Sequence, residues 1–163
     1  MEAHFASGAG VEMLLDPDGA PWIGARASDI ALFGTPAGPQ PTAAIRNRWM
    51  GKPIGAVTGV RVAAAHNGEV LAFRLEWDDA NHDHSAVDTT VFSDGAAVLI
   101  PVAADAPVRT MGAPGAAVNA WYWRSDDNAR GHHVVAEGLG TTRSLESEPV
   151  RARGVWSGDA GAS

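Results

Sequence analysis

Hydrophobic and polar positions alternate most cleanly over residues 69–77. Leu71, Phe73, Leu75 and Trp77 fall on one face, and Ala72, Arg74 and Glu76 on the other. A period of two predicts a half-buried strand. A second apolar run, 57–65, precedes it, separated by His66-Asn67-Gly68. Asn-Gly between two such runs predicts a hairpin, because both residues tolerate positive φ. Strands are also expected at 30–33, at 96–102 (opened by Asp94-Gly95, with Pro101 near its end) and at 116–124. In the last of these Asn119, Trp121 and Trp123 share one face, and Val118, Ala120 and Tyr122 share the other. Two further strands are expected at 132–142, interrupted by Gly138 and Gly140, and at 149–157. Residues 1–21 read as an extended lead-in. Residues 34–56, rich in Gly and Pro, read as a surface crossing with one helical turn near 43–48.

Six or seven strands with short connections and no βαβ alternation predict an all-β fold. The expected architecture is an antiparallel β-sandwich with long Gly/Pro-rich loops. It is expected as one domain over 1–163, with 1–56 as lead-in and 57–157 as core. The final expected strand ends at Val155-Trp156, and the tail SGDAGAS reads as a turn whose following strand is missing, leaving an unpaired edge.

Composition sharpens this picture. The chain has 163 residues with 19 Gly, 10 Pro and six Trp, and Lys occurs once, at Lys52, a bias toward strands and turns. The net charge of −7 supplies no basic face for phosphates, which argues against nucleic acid and anionic membrane surfaces as partners. No apolar run approaches the roughly 18 residues of a membrane span. With no cysteine, disulfides, thiolate metal sites, a cysteine nucleophile and covalent c-type haem attachment are all excluded for this chain. Residues 1–10 lack the basic and apolar regions of an export signal.

Few residues suggest chemistry. His82-Asp83-His84 would put two imidazoles on one side of an extended segment, and Asp78, Asp79, Asp83 and Asp88 add oxygen donors. The surrounding residue types favour a solvated loop. His132 and His133 open a strand, so at most one of them points inward. No nucleophile elbow, phosphate loop or dinucleotide fingerprint is present, and no catalytic residue is expected. Trp121, Tyr122 and Trp123 form an aromatic strand, either core or a platform for a sugar or a porphyrin. Met111 sits in a Gly/Pro loop. By residue type alone it reads as a plug, although a thioether is also a soft axial ligand for haem iron, and Gly112 beside it would let a flat macrocycle approach.

The segments LAFRLEWDDANHD, FSDGAAVLIPV, RTMGAPGAAVNAWYWR, VVAEGLGTT and VRARGVW occur in this order between residues 71 and 156. Together they resemble the haem b-binding γ subunit of ethylbenzene dehydrogenase. The same subunit type occurs in dimethylsulfide dehydrogenase, chlorate reductase and selenate reductase. The resemblance implies a β-sandwich holding one non-covalent haem b between methionine and lysine axial ligands. It implies an electron-transfer subunit, not itself a catalyst, beside a molybdopterin-containing α subunit and an iron–sulfur β subunit. Met111 falls on the methionine position, with Gly112, Trp121 and Trp123 as expected pocket residues. The family lysine lies toward the C-terminus, whereas no lysine follows Lys52 here. Arginine offers no lone pair, which leaves His132, His133 or Lys52 as candidates for the second ligand. The family is periplasmic by habit, whereas this N-terminus points to no export, so both compartments stay open. The alternatives are a carbohydrate- or small-ligand-binding module without haem, using the aromatic strand, and a truncated structural subunit.

Overall fold

The computed structural model describes residues 1–35, 38, 42–52, 54–85, 93–127, 130–145 and 150–157. The expectations for Asp88 and for 158–163 lie outside them. The chain divides into two compact units, residues 1–36 with 51–81 and residues 37–50 with 82–163. Each carries a four-stranded sheet. Two antiparallel-rich sheets and few helices are the element content of the all-β sandwich class.

In the first unit the expected hairpin is present as β3 (Gly59–His66) and β4 (Leu71–Glu76), paired from Arg61↔Glu76 to His66↔Leu71. Its turn works differently from the expectation. Gly68 alone takes a positive φ, +102°, while Asn67 acts through its side chain, whose Oδ1 accepts from the Glu69 and Val70 amides at 2.9 and 2.8 Å. The Asn67 Nδ2 donates to the Ala9 carbonyl at 2.9 Å and ties the turn to the N-terminal segment.

That segment is more than a lead-in. It holds β1 (His4–Phe5), parallel to the end of β3, and a single helical turn, α1 (Val11–Leu15). β2 (Ser28–Ala31) then runs antiparallel to the start of β3. Ala6, Ala9, Leu14 and Trp22 are buried with Ala63 and Ala65 in one cluster. The small side chains of β3 let this irregular chain approach the sheet closely. They account for the burial of Ala63 and Ala65; Val62 and Ala64, on the other face of β3, are buried as well.

In the second unit β5 (Gly95–Pro101), β6 (Val118–Arg124), β7 (Gly131–Ala136) and β8 (Arg143–Ser144) form an antiparallel meander. The helical turn expected near 43–48 is α2 (Ala43–Trp49), capped by the Thr42 hydroxyl on the Ile45 amide at 3.2 Å. Two expected strands are corrected. Residues 132–142 are β7 followed by a reversal at Gly138 and Gly140, with φ of +132° and +80°, which returns the chain into β8. Residues 150–157 make one isolated bridge, Arg130↔Arg151, and otherwise lie across the sheet. A Cβ on Gly154 would meet the Trp123 ring, and one on Gly131 would meet Val150 at 2.6 Å. Among the described residues, a segment crossing over ring and backbone pairs with the sheet only at that bridge.

Candidate functional site

Register assigns each side chain of the second sheet to a face. Val118, Ala120, Tyr122, His132, Val134, Ala136 and Leu99 share one; Trp121, Trp123, His133, Val135 and Val98 share the other. The first face carries a cluster of Ala106, Val118 and Ala136, against which Leu99, Met111 and Ala116 pack.

Met111 is placed there by a short, tightly bonded loop. Pro107 begins a turn of 3₁₀ helix, Val108–Thr110. The Thr110 hydroxyl lies 3.0 Å from the Gly112 carbonyl and 3.2 Å from that of Pro107. Met111 closes the turn in the left-handed region, φ 57° and ψ 42°, and is the sole non-glycine residue with positive φ among the described residues. This conformation costs a side-chain-bearing residue about 1–2 kcal/mol, so its neighbours must hold it. The Met111 amide donates to Val108 O at 3.1 Å, the Gly112 amide to Pro107 O at 2.9 Å, and the Gly138 amide to Met111 O at 2.9 Å. Backbone strain of this kind concentrates at functional positions.

Gly112 is buried, and a Cβ there would stand 2.7 Å from both Ala116 O and Ala136 O. Its bare backbone therefore serves contact with the protein's own chain rather than an opening for a ligand. Pro114-Gly115 then turns the chain between Ala113 and Ala116, which exchange both amide hydrogen bonds, and leads into β6.

The side chain of Met111 is half-buried among small residues. Val108 precedes it, Val102 follows the β5 end, and Leu139 follows the amide that holds its carbonyl; all three are exposed. Met111 thus contributes a soft thioether packed against Ala106, Val118 and Ala136, a donor type that could hold haem iron.

The other expected site residues lie elsewhere. His132 shares the Met111 face but sits four residues up β7 from Ala136, about 13 Å along the strand. Its Nε2 is 2.6 Å from Asp127 Oδ2, and its ring stacks on Tyr122 at 4.6 Å. His133 is buried on the opposite face, edge-on to Trp121 at 6.2 Å. Trp123 is on that face too, covered by the backbone at Gly154. The two tryptophans therefore do not adjoin Met111, nor does Trp123 offer an open stacking platform. Lys52 is exposed in the first unit. His82 stacks on Trp156 at 4.9 Å, and the His82 and His84 rings are 5.0 Å apart, but no group of three metal-ligating side chains occurs among the described residues. No described helix is long and apolar enough to cross a membrane.

Sequence reasoning missed the partner of Met111, the turn after β7. Its signal was present as Glu-Gly-Leu-Gly-Thr, two glycines at the end of an apolar run.

The family model for ethylbenzene dehydrogenase matches residues 20–159. The chain belongs to the ethylbenzene dehydrogenase family. Among curated relatives it is 39% identical over 90 residues to the chlorate reductase subunit gamma of Ideonella dechloratans, covering 55% of this chain and 37% of that protein. It is 37% identical over 95 residues to a Haloferax mediterranei protein provisionally named a respiratory nitrate reductase heme subunit, covering 58% of this chain and 34% of the relative. The match thus spans about a third of the length of each. The family match includes Met111 and the turn that holds it.

Proposed function

We propose that this chain is a haem-binding electron-transfer subunit, or part of one, in a molybdenum-dependent oxidoreductase complex. The observation that carries this reading is Met111, held left-handed in an apolar setting inside the family match. One curated relative is named a heme subunit and another the gamma subunit of a reductase. The chain offers no cysteine for thioether attachment, which supports a non-covalent, b-type haem.

In this reading bound haem supplies a one-electron ferric/ferrous couple. The Met111 sulfur would hold the iron through a thioether lone pair, a soft donor that would favour the ferrous state and raise the potential. Ala106, Val118, Ala136 and Leu99 keep water from that sulfur. The exposed Val102, Val108 and Leu139 would offer the haem apolar surface. The chain itself binds no organic or oxyanion substrate; the electron passes between partners of the complex, a molybdopterin-containing subunit and an iron–sulfur subunit.

Haemin titration of the purified chain tests this. A Soret band saturating at one haem per chain is expected. Absence of uptake by the chain, both alone and co-expressed with its partner subunits, would overturn the proposal.

A further inference from the structure

We infer that the Glu137–Thr141 turn positions the Met111 thioether, and that the Thr141 hydroxyl is its fastener. This rests on the reading of Met111 as an axial ligand.

Met111 cannot keep a left-handed backbone by itself, since the alternative conformations are lower in energy. Two of the bonds described above, Met111 N–H to Val108 and Gly112 N–H to Pro107, lie within its own loop. The third comes from outside: the Gly138 N–H donates to the Met111 carbonyl at 2.9 Å. That peptide is oriented by a turn in which one hydroxyl makes two bonds. Thr141 Oγ1 accepts from the Glu137 amide at 2.8 Å and donates to the Gly138 carbonyl at 2.7 Å. The Thr141 amide also donates to Gly138 O at 3.2 Å. The hydroxyl thus grips the turn on both sides of the Gly138 amide. Gly138 itself is at φ +132°, where only glycine sits without strain, so nothing in its own backbone preference fixes its orientation. Thr141 is exposed, and its hydroxyl is engaged with Glu137 and Gly138. It acts through the amide it orients, as a positioning residue.

The test compares wild type, Thr141→Ser and Thr141→Val. In the haem-free chain the Gly138 amide is expected to exchange about tenfold faster in Thr141→Val, and as in wild type in Thr141→Ser. After loading with haemin, Thr141→Val should lose most of the thioether-to-ferric-iron charge-transfer band and drop in midpoint potential, while Thr141→Ser retains both. Thr141→Ala is the second variant should Thr141→Val fold poorly, and its Gly138 exchange is expected to match. Unchanged Gly138 exchange, or an unchanged charge-transfer band and potential in a folded Thr141→Val, overturns the inference. If wild type takes up haemin without the band, the ligand reading fails, and the turn is judged on Gly138 exchange alone.

Discussion

Gly112 and Gly115 stand three residues apart with similar backbone angles and opposite surroundings. Gly112, at φ +87°, has backbone oxygens 2.7 Å from where a Cβ would be; Gly115, at φ +76°, has nothing within 4 Å. Gly115→Ala should cost only the left-handed penalty, about 1 kcal/mol, whereas Gly112→Ala adds overpacking against β7 and should cost about 3 kcal/mol. Urea unfolding of the two variants measures the difference. Asp126 provides a pH-dependent case. The hydrogen bond from the Arg124 guanidinium holds its carboxyl below the ordinary carboxylate value, aided by Ser93 and opposed by desolvation. A depressed folded value means that this stabilisation is complete above the unfolded value and is lost as pH falls through the folded one. Arg124→Gln should raise the Asp126 titration midpoint followed by NMR, and the stability gap between the two proteins should close in acid. Met111 could be singled out in the sequence as a methionine in a Gly/Pro loop. Its left-handed backbone could not, because no rule places a methionine there, and one of the bonds that hold it comes from Gly138, 27 positions away.

Among the elements, strands with strong local signals were legible. Asn67-Gly68 located the β3–β4 hairpin and the aromatic run located β6. What failed was anything whose period was broken by packing. The N-terminal segment looked featureless because Ala6, Ala9, Leu14 and Trp22 follow no repeat, yet the alanines of β3 admit them to the core. The turn inside 132–142 was hidden by apolar residues continuing up to it. The last expected strand has a suitable pattern but crosses Trp123 at Gly154 and pairs at one bridge alone among the described residues. Asn67 is the element-scale test. Asn67→Ala removes two turn hydrogen bonds and the link to Ala9, and should destabilise the chain by about 1–3 kcal/mol in chemical denaturation. Asn67→Asp keeps the acceptor but not the Nδ2 donor, and should fall between.

For the molecule as a whole, the content of two antiparallel-rich sheets was foreseeable from strand count, Gly/Pro punctuation and the scarcity of helix formers. The assembly of the site was only partly foreseeable. Face assignment follows from register, and register separates Met111 from Trp121, Trp123 and His133 while leaving His132 on its face but far along the strand. His132→Gln is accordingly expected to leave the haem spectrum unchanged, since that ring is engaged with Asp127 and Tyr122. The central claim is that Met111 ligates the iron. It is tested most directly by a reduced-minus-oxidised spectrum of the haemin-loaded chain beside Met111→Ala. A sharp α band in wild type that weakens and broadens in Met111→Ala, with haem uptake retained, is the predicted result. An α band of equal sharpness and height in both proteins would contradict the account.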